Sequence, residues 1–467
     1  MEGPRKIIME LRNLTRLRAK NYFWSPQFRK RQWDGYIYYI TEIRAEFQTG
    51  LLDEICTHLE EMGEKFKITD LRDKFKDLHT FEGLGNLKYR QYQKDSINAV
   101  LNHRVRGLKF PRGILAEATN AGKSLIAAGI YASFSKKRRG LFLVNSKTLF
   151  VQTIKDLKEL LPGEIGQVNA DKVDWKRINV CMVQTLGNRL QKDPKLRAEL
   201  SKMDIVIVDE GDELIGRKDC QLVLKHCFNA PIRICLSGSP LMSKDKNRNK
   251  DQIKYFGPII HSISNKELVD QGYSTPPDIR MYSGNKHIVY PGDYSREYLE
   301  GIITNRRRNK IVWRLVNNYL KKNRAPILIL FKIHEHAENL IKVCPKEISQ
   351  NYKIEVVHHK TANREDIFER FNSGKVEICL ASMIIKRGKN LPLIKTLINA
   401  AGGDSQANVL QIMGRSLRSH KSKRKVYLLD FWDEGKYLKR HSKHRRIYYK
   451  AQKFEVKELY NKKAIIK

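Results

Sequence analysis

Short apolar runs alternate with amphipathic stretches of helical length over most of the chain. "GILAEA", "GLFLVNS", "INVCMVQT", "MDIVIVDE" and "RICLSGS" are apolar runs bounded by polar or turn residues. That is the pattern of strands buried on both faces. Between them lie segments such as "TLFVQTIKDLKELL", whose apolar positions recur at helical spacing. A second set, "APILILFK", "YKIEVVHH", "VEICLAS", "TLINAA" and "KVYLLDF", repeats the alternation. Strands alternating with helices predict parallel sheets covered on both faces. The expected fold class is α/β, with two tandem doubly wound parallel-sheet domains behind a small α+β module. The module spans 1–82, the first sheet domain 83–285, the second 286–437, and a basic, helical extension 438–467. "STPPDIRMYSGNK" reads as the linker between the sheet domains, on its Pro and Gly content.

Charge narrows the choice of partner. Lys and Arg number 89 against 51 Asp and Glu, a formal net charge of +38 over 467 residues. Such an excess repels itself unless a polyanion offsets it. Nucleic acid is the first candidate, and an anionic membrane surface is the alternative. No apolar run reaches the roughly 18 residues of a spanning helix. "MEGPRKIIMELRNL" lacks the apolar core of a secretion signal. The seven cysteines are scattered without a C-x-x-C pair, so they read as reduced thiols of a cytoplasmic protein. The thirteen histidines show no metal spacing; His334 to His336 and His358 with His359 read as surface or structural.

"EATNAGKSLIAAG", Glu117 to Gly129, joins a strand to a helix in the manner of a phosphate loop. Thr119, Asn120, Ala121 and Gly122 would cradle phosphates with backbone N–H groups at the helix start. Lys123 would reach the terminal phosphates and Ser124 would hold Mg²⁺. The first glycine of the usual pattern is replaced by Glu117, at the end of the strand. Read alone, the stretch is also compatible with an ordinary strand-turn-helix. A second signal is "IVIVDEGD", an apolar strand ending in Asp209, Glu210, Gly211 and Asp212. Asp209 suits the Mg²⁺ water shell, and Glu210 suits a group that polarises the attacking water. An acidic helix cap is the plain alternative. Both signals in one α/β unit favour an NTPase.

The acidic box resembles the D-E-x-D/H box of the superfamily two helicases, and further motifs follow in that family's order. "YRQYQKDSINAV" resembles its adenine-reading motif, which implies ATP, with base contacts from Arg90, Tyr92 and Gln93. "LFLVNSKTLFVQT" and "VQTL" resemble its DNA-contact motifs, giving Lys147, Thr148, Gln184 and Thr185. "LSGSP" resembles the motif that couples hydrolysis to DNA, through Ser237 and Ser239 with Asp212. In the second domain "ILILFKIHEHAENL" brings Lys332, and "ASMIIKRGKNLP" brings Ser382, Gly388 and Asn390, with Asn where many relatives have Asp. "QIMGRSLR" matches Q-x-x-G-R-x-x-R, giving Gln411 and the two arginines Arg415 and Arg418. The resemblance covers about 350 residues. It implies RecA-like domains, with Lys123, Glu210, Arg415 and Arg418 as the catalytic group. It also implies ATP held between two domains whose closure and reopening drive movement.

"FWSPQFRKRQWDGYIYYI…FQTGLLDEI" resembles the small domain that precedes the motor in UvsW-type phage helicases, relatives of the RecG-like branch-migration motors. Arg29, Lys30 and Arg31 offer phosphate contacts or a merely solvated face. Trp24, Phe28 and Trp33 offer stacking surfaces or the core of a tiny domain. In the extension "KYLKRHSKHRRIYYK", Lys439, Arg440, Arg445 and Arg446 read as DNA contacts, or as a solvated helix. "NRRRNK" and "KSKRK" add to the basic surface. The resemblance implies an ATP- and Mg²⁺-dependent DNA helicase or translocase, phage-encoded and acting in the host cytoplasm. Its substrates would be forks, D-loops, R-loops and four-way junctions in replication, recombination or repair. Single-stranded DNA-binding or recombination proteins would be partners, and a monomer is expected. An RNA helicase and a restriction-type duplex translocase are the alternatives. No nuclease constellation is visible.

Overall fold

The apolar runs assemble into two sheets, each in its own part of the chain. The computed structural model describes residues 1–72, 80–170, 172–284, 293–383 and 391–460. It divides into two units, Met1–Ile263 and Ser264–Lys467. In the first unit eight strands lie in the order Ile259–Ile263, Arg112–Glu117, Ile232–Ser237, Ile205–Asp209, Gly140–Val144, Ile178–Met182, Ile165–Val168 and Val173–Asp174. All neighbours pair in parallel except the last two. Successive residues of a strand face opposite sides. Ile205 and Ile207 therefore enter one core with Tyr131 and Phe142, while Val206 and Val208 enter the other with Leu143 and Phe256. Burial on both faces is why these strands read as unbroken apolar runs.

The N-terminal module is part of this first unit. Helix Arg5–Thr15, the antiparallel pair Leu17–Arg18 and Tyr36–Ile37, and helix Leu52–Glu61 build it. Leu11, Tyr39, Ile40, Leu51, Ile55 and Leu59 form its core. A core this small needs support from outside, and the helix Lys246–Phe256 provides it. A Cβ at Gly50 would lie 2.1 Å from the Ile253 carbonyl oxygen, so only glycine permits the approach. The Asn247 amide donates to the Arg18 carbonyl at 2.6 Å, and Lys250 pairs with Glu54.

The second unit holds a seven-stranded parallel sheet in the order Ile354–Val357, Ile378–Ser382, Ile327–Phe331, Thr396–Asn399, Val426–Trp432, Pro277–Ser283 and Val456–Glu458. Two expectations change here. The boundary placed at 285 lies at 263/264, and most of the supposed linker is the strand Pro277–Ser283, paired with Val426–Trp432 along its whole length. Pro276 and Pro277 signal a turn in sequence, but a proline is tolerated at the first residue of a strand. The extension is no appendage. Its helix Lys436–Ala451 belongs to the second unit, and its strand Val456–Glu458 closes one edge of the sheet.

The helix Lys436–Ala451 also overturns the reading of Arg445 as a DNA contact. Arg445 is 1% exposed. Its Nε lies 2.9 Å from Asp430 Oδ2, and its Nη atoms donate to the carbonyls of Gly403 and Phe431, both at 2.7 Å. Tyr449 is buried too and donates to Asp430 at 2.7 Å. A second buried pair, Arg308 with Asp433 at 2.8 Å, lies three residues beyond Asp430. Both guanidinium groups are satisfied by one carboxylate and by backbone carbonyls, as burial of a charge requires. His336 is a structural histidine: it is buried, 3.2 Å from Asn309 Oδ1, and burial, reinforced by Arg308, lowers its pKa to about 3. All seven cysteines are free, and no helix among the described residues is long and apolar enough to cross a membrane.

Arg445→Leu leaves the Asp430 carboxylate buried without its partner. It is expected to lower stability by about 3–5 kcal/mol in urea unfolding. Lys443→Ala, on the exposed side of the same helix, is expected to change it by less than about 0.5 kcal/mol.

Candidate functional site

The site is built at the C-terminal ends of the central strands of the first sheet. Strand Arg112–Glu117 ends, the chain turns through residues 118–122, and helix Lys123–Ala132 begins. Asn120 and Gly122 carry φ of +81° and +80°. A Cβ at Gly122 would also meet Gln93 Nε2 at 2.6 Å. Ala121 is buried, while Thr119 and Asn120 are half-buried. The first N–H groups of a helix have no intrahelical acceptor, and they favour an anion. Two of the adenine-motif residues hold the loop itself. The Tyr92 hydroxyl and Gln93 Nε2 both donate to the Ala121 carbonyl, at 3.0 and 2.8 Å. Arg90 donates to the Tyr92 hydroxyl at 3.1 Å, and its own N–H donates to Gln93 Oε1 at 3.0 Å.

Opposite the loop, strand Ile205–Asp209 delivers three carboxylates. Lys123 Nζ lies 3.2 Å from Glu210 Oε1 and 4.0 Å from Asp209 Oδ1. Burial pulls the Lys123 ammonium down, but Glu210, Asp209 and Asp212 outweigh it, and its pKa is raised. Burial pushes Asp209 up, and Glu210 adds to the shift while Lys123 opposes it. Glu210 sits at φ +50°, ψ +46°. A left-handed non-glycine residue costs about 1–3 kcal/mol and marks functional sites. Its Oε2 is buried without a hydrogen-bond partner among the described residues. Asp212 is buried and accepts from the Ser237 hydroxyl at 2.6 Å and the Ser239 hydroxyl at 3.0 Å. Burial raises its pKa, as does Glu210. The Ser124 hydroxyl donates to Asp156 at 3.2 Å.

These residues fit a nucleotide with its divalent cation. One half-buried ammonium is crowded by three carboxylates, two of them held at raised pKa by burial and mutual repulsion. A divalent cation relieves that crowding at Asp209, and a phosphate oxygen offers Lys123 a second partner. The strained Glu210 keeps one oxygen unengaged for a water.

The remaining candidates fall into three groups. Lys147 and Thr148 are exposed at the start of helix Lys147–Leu160; Gln184 is exposed and Thr185 half-buried at the start of helix Val183–Leu190. Arg29, Lys30 and Arg31 are exposed at the end of helix Pro26–Arg29, and the Arg29 guanidinium lies 5.3 Å from the ring of Trp24. Trp24 is 66% exposed, whereas Trp33 is half-buried and donates to the Tyr36 carbonyl at 2.8 Å. In the second unit Ser382 ends strand Ile378–Ser382, and Lys332 lies over the ring of Tyr298 at 4.8 Å. Gln411 is buried in helix Gln406–Ser416 with Arg415 half-buried near its end. Arg418 is not on that helix. It lies two residues past it, in a bridge to Ser274. Gly388 and Asn390 lie outside the described residues. Lys439 pairs with Glu434 at 3.0 Å, Arg440 lies against Tyr437, and Arg446 reaches Glu458 at 3.0 Å.

Two helicase-family profiles match the chain. "Type III restriction enzyme, res subunit" covers residues 86–242, and "Helicase conserved C-terminal domain" covers 308–420. The chain is a superfamily two helicase. Its two parallel-sheet units are the tandem RecA-like domains of that family. It is similar to the "Putative ATP-dependent helicase IRC3" of Saccharomyces cerevisiae, 25% identical over 366 residues. That match takes in 73% of this chain and 51% of the relative, so the chain spans about half the length of the yeast protein. It is also similar to "ATP-dependent DNA helicase uvsW" of Enterobacteria phage T4, 23% identical over 467 residues, 91% of this chain and 87% of the relative. Among solved structures, a fragment of a putative HsdR subunit of a type I restriction enzyme from Vibrio vulnificus superposes with a TM-score of 0.58. It is 18% identical and covers 79% of this chain and 67% of that one, a likeness of fold alone.

Sequence reading missed how this helicase accommodates Glu117. The residue is fully buried, and its Oε1 accepts from the Ser96 hydroxyl at 2.8 Å and lies 2.7 Å from His261 Nδ1. Glu117 thus ties helix Gln91–Asn102, which bears the loop-holding Gln93, to the edge strand Ile259–Ile263. The unusual glutamate was the visible signal. Its partner His261, 144 residues away, was not.

Gly122→Ala adds a methyl where φ is +80° and Gln93 stands 2.6 Å away. A left-handed alanine costs about 1–2 kcal/mol, so ATP affinity is expected to fall about tenfold, as read by titration with a fluorescent nucleotide.

Proposed function

We propose that the protein is an ATP-dependent DNA helicase or translocase that remodels branched DNA: forks, D-loops, R-loops and four-way junctions. The observation that carries this reading is the likeness to the phage T4 DNA helicase over 91% of this chain and 87% of that protein. The carboxylate–lysine cluster supplies the chemistry. Lys123 binds the terminal phosphates in exchange for its present contact with Glu210. Asp209 and Ser124 would hold Mg²⁺, which would supply positive charge against the phosphate oxygens. Glu210 takes the proton of the attacking water, with the backbone already set to aim its free oxygen. Arg415 and Arg418 of the second unit are the cations for the transferred phosphoryl group.

Coupling follows from Asp212. Its two oxygens are occupied by Ser237 and Ser239, at the end of the next strand. A change in charge at Glu210 during hydrolysis is therefore felt at that strand end through one buried carboxylate. Lys147, Thr148, Gln184, Thr185, Lys332 and Ser382 are the DNA contacts of the motor, and Arg29, Lys30 and Arg31 those of the N-terminal module. Lys439 and Arg440 remain exposed for a contact, whereas Arg446 is engaged within the second unit. A phage-borne chain of this kind works in the host cytoplasm.

The test is ATP hydrolysis and strand separation on one panel of duplex, fork, four-way junction and matched RNA. Forks and junctions are expected to stimulate hydrolysis and to be taken apart while RNA is inert. Equal stimulation by RNA sinks the DNA assignment, and hydrolysis on duplex without separation leaves a translocase. Glu210→Gln is expected to retain ATP binding and lose about 10²–10⁴-fold in turnover. Lys123→Ala is expected to lose both.

A further inference from the structure

The segment that enters the second unit and the loop after helix Gln406–Ser416 enclose a pocket of about 700 Å³. It shares no residue with the proposed nucleotide site or with the DNA contacts. We propose that this pocket binds a phosphate group, either of a nucleic-acid backbone or of a small soluble phosphate, and presents it to the chain segment that carries Arg418.

Three independent features point to an oxyanion. His420, Lys421, Lys423 and Arg424 line the pocket and no carboxylate does. Lys421 and Arg424 are exposed and form no ion pair among the described residues, so their charge is open to a ligand. Ser274, 5% exposed, lines the same pocket, and its hydroxyl has no hydrogen-bond partner among the described residues. A buried donor without an acceptor is uncommon, and a phosphate oxygen would satisfy it. Lys423 is 7% exposed and, among the described residues, donates to the carbonyls of Ile394 and Ser416, at 3.3 and 2.9 Å. Burial first, and Arg418 second, pull its pKa down to about 7. An anion would relieve that repulsion between two cations.

The pocket is wired to Arg418 through backbone. Ser274 pairs with Arg418 in an antiparallel bridge, and the Thr275 N–H donates to the Leu417 carbonyl at 2.7 Å. The lysine, the serine and the arginine thus share one short stretch of structure. The volume exceeds a lone phosphate, and it admits a phosphodiester with part of its sugar, or a diphosphate.

The test uses the full chain and the double variant Lys421→Ala/Arg424→Ala, with Lys321→Ala/Lys322→Ala as a control for loss of charge elsewhere on the same unit. Unstimulated ATP hydrolysis should be unchanged in both, which establishes that they fold. One arm measures binding of duplex DNA by anisotropy across salt concentrations. Each phosphate contact contributes a slope of about 0.9 in log Kd against log salt. A backbone phosphate in the pocket lowers the slope by one to two contacts in the pocket variant and not in the control. The other arm follows thermal unfolding with inorganic pyrophosphate at fixed ionic strength, in a Lys123→Ala background that removes the phosphate-loop lysine. A small anion in the pocket raises Tm in that background, and the rise disappears with Lys421→Ala/Arg424→Ala. The proposal is overturned if the pocket variant matches the control in both arms. The DNA arm rests on the nucleic-acid reading; the pyrophosphate arm does not, so loss of DNA-stimulated hydrolysis would fail that reading alone.

Discussion

Three carboxylates crowd one half-buried ammonium at the end of a strand, and the proposed nucleotide chemistry depends on that crowding. Asp209, Glu210 and Asp212 repel one another in a site from which water is largely excluded. Lys123 holds them together at 3.2 Å from Glu210. Such a cluster is poised, because any cation that joins it and any anion that draws Lys123 away are both favoured. The strained backbone of Glu210 is tolerable because the parallel strand before it is fixed on both sides by neighbours. The sheet thus holds the strain at the residue proposed to aim the water.

The same rule governs the chain's surplus of positive charge. The buried Arg308 and Arg445 each meet a carboxylate and at least one backbone carbonyl, whereas the buried Arg112 and Arg233 are held by hydroxyl and carbonyl oxygens with no carboxylate among the described residues. Other cations without a carboxylate partner, such as Arg31, Lys421 and Arg424, are exposed. A basic run in sequence therefore divides into two populations with opposite consequences. Removal of a buried member costs stability, and removal of an exposed one costs affinity for a polyanion. The helix Lys436–Ala451 contains both kinds within a few residues.

Glycine at two positions marks where elements meet too closely for a side chain. Gly50 lets the small N-terminal module lie on the backbone of helix Lys246–Phe256, and Gly122 lets Gln93 grip the phosphate loop. The first contact makes the module a part of the motor's first unit, so its arginines are carried on a rigid base. The second joins helix Gln91–Asn102 to the loop. Glu117 reinforces that joint from beneath, through Ser96 and His261.

The sequence by itself determined the two parallel sheets, the phosphate loop, the acidic strand end and their order. Each of these is a local pattern: an apolar run long enough for a buried strand, small residues at a turn, or charge after a strand. The grouping of Asp212 with Ser237 and Ser239 was legible only through the resemblance to the helicase coupling motif. Tertiary structure decided the rest. It placed Pro277–Ser283 in the second sheet despite its prolines, since pairing with Val426–Trp432 outweighs a turn signal at a strand's first residue. It turned Arg445 inward, because a helix alone does not reveal that Asp430 lies beneath it. It also gave Glu117 its histidine and Ser274 its neighbours. Burial and pairing across long sequence separations decided those, and no local spacing records them.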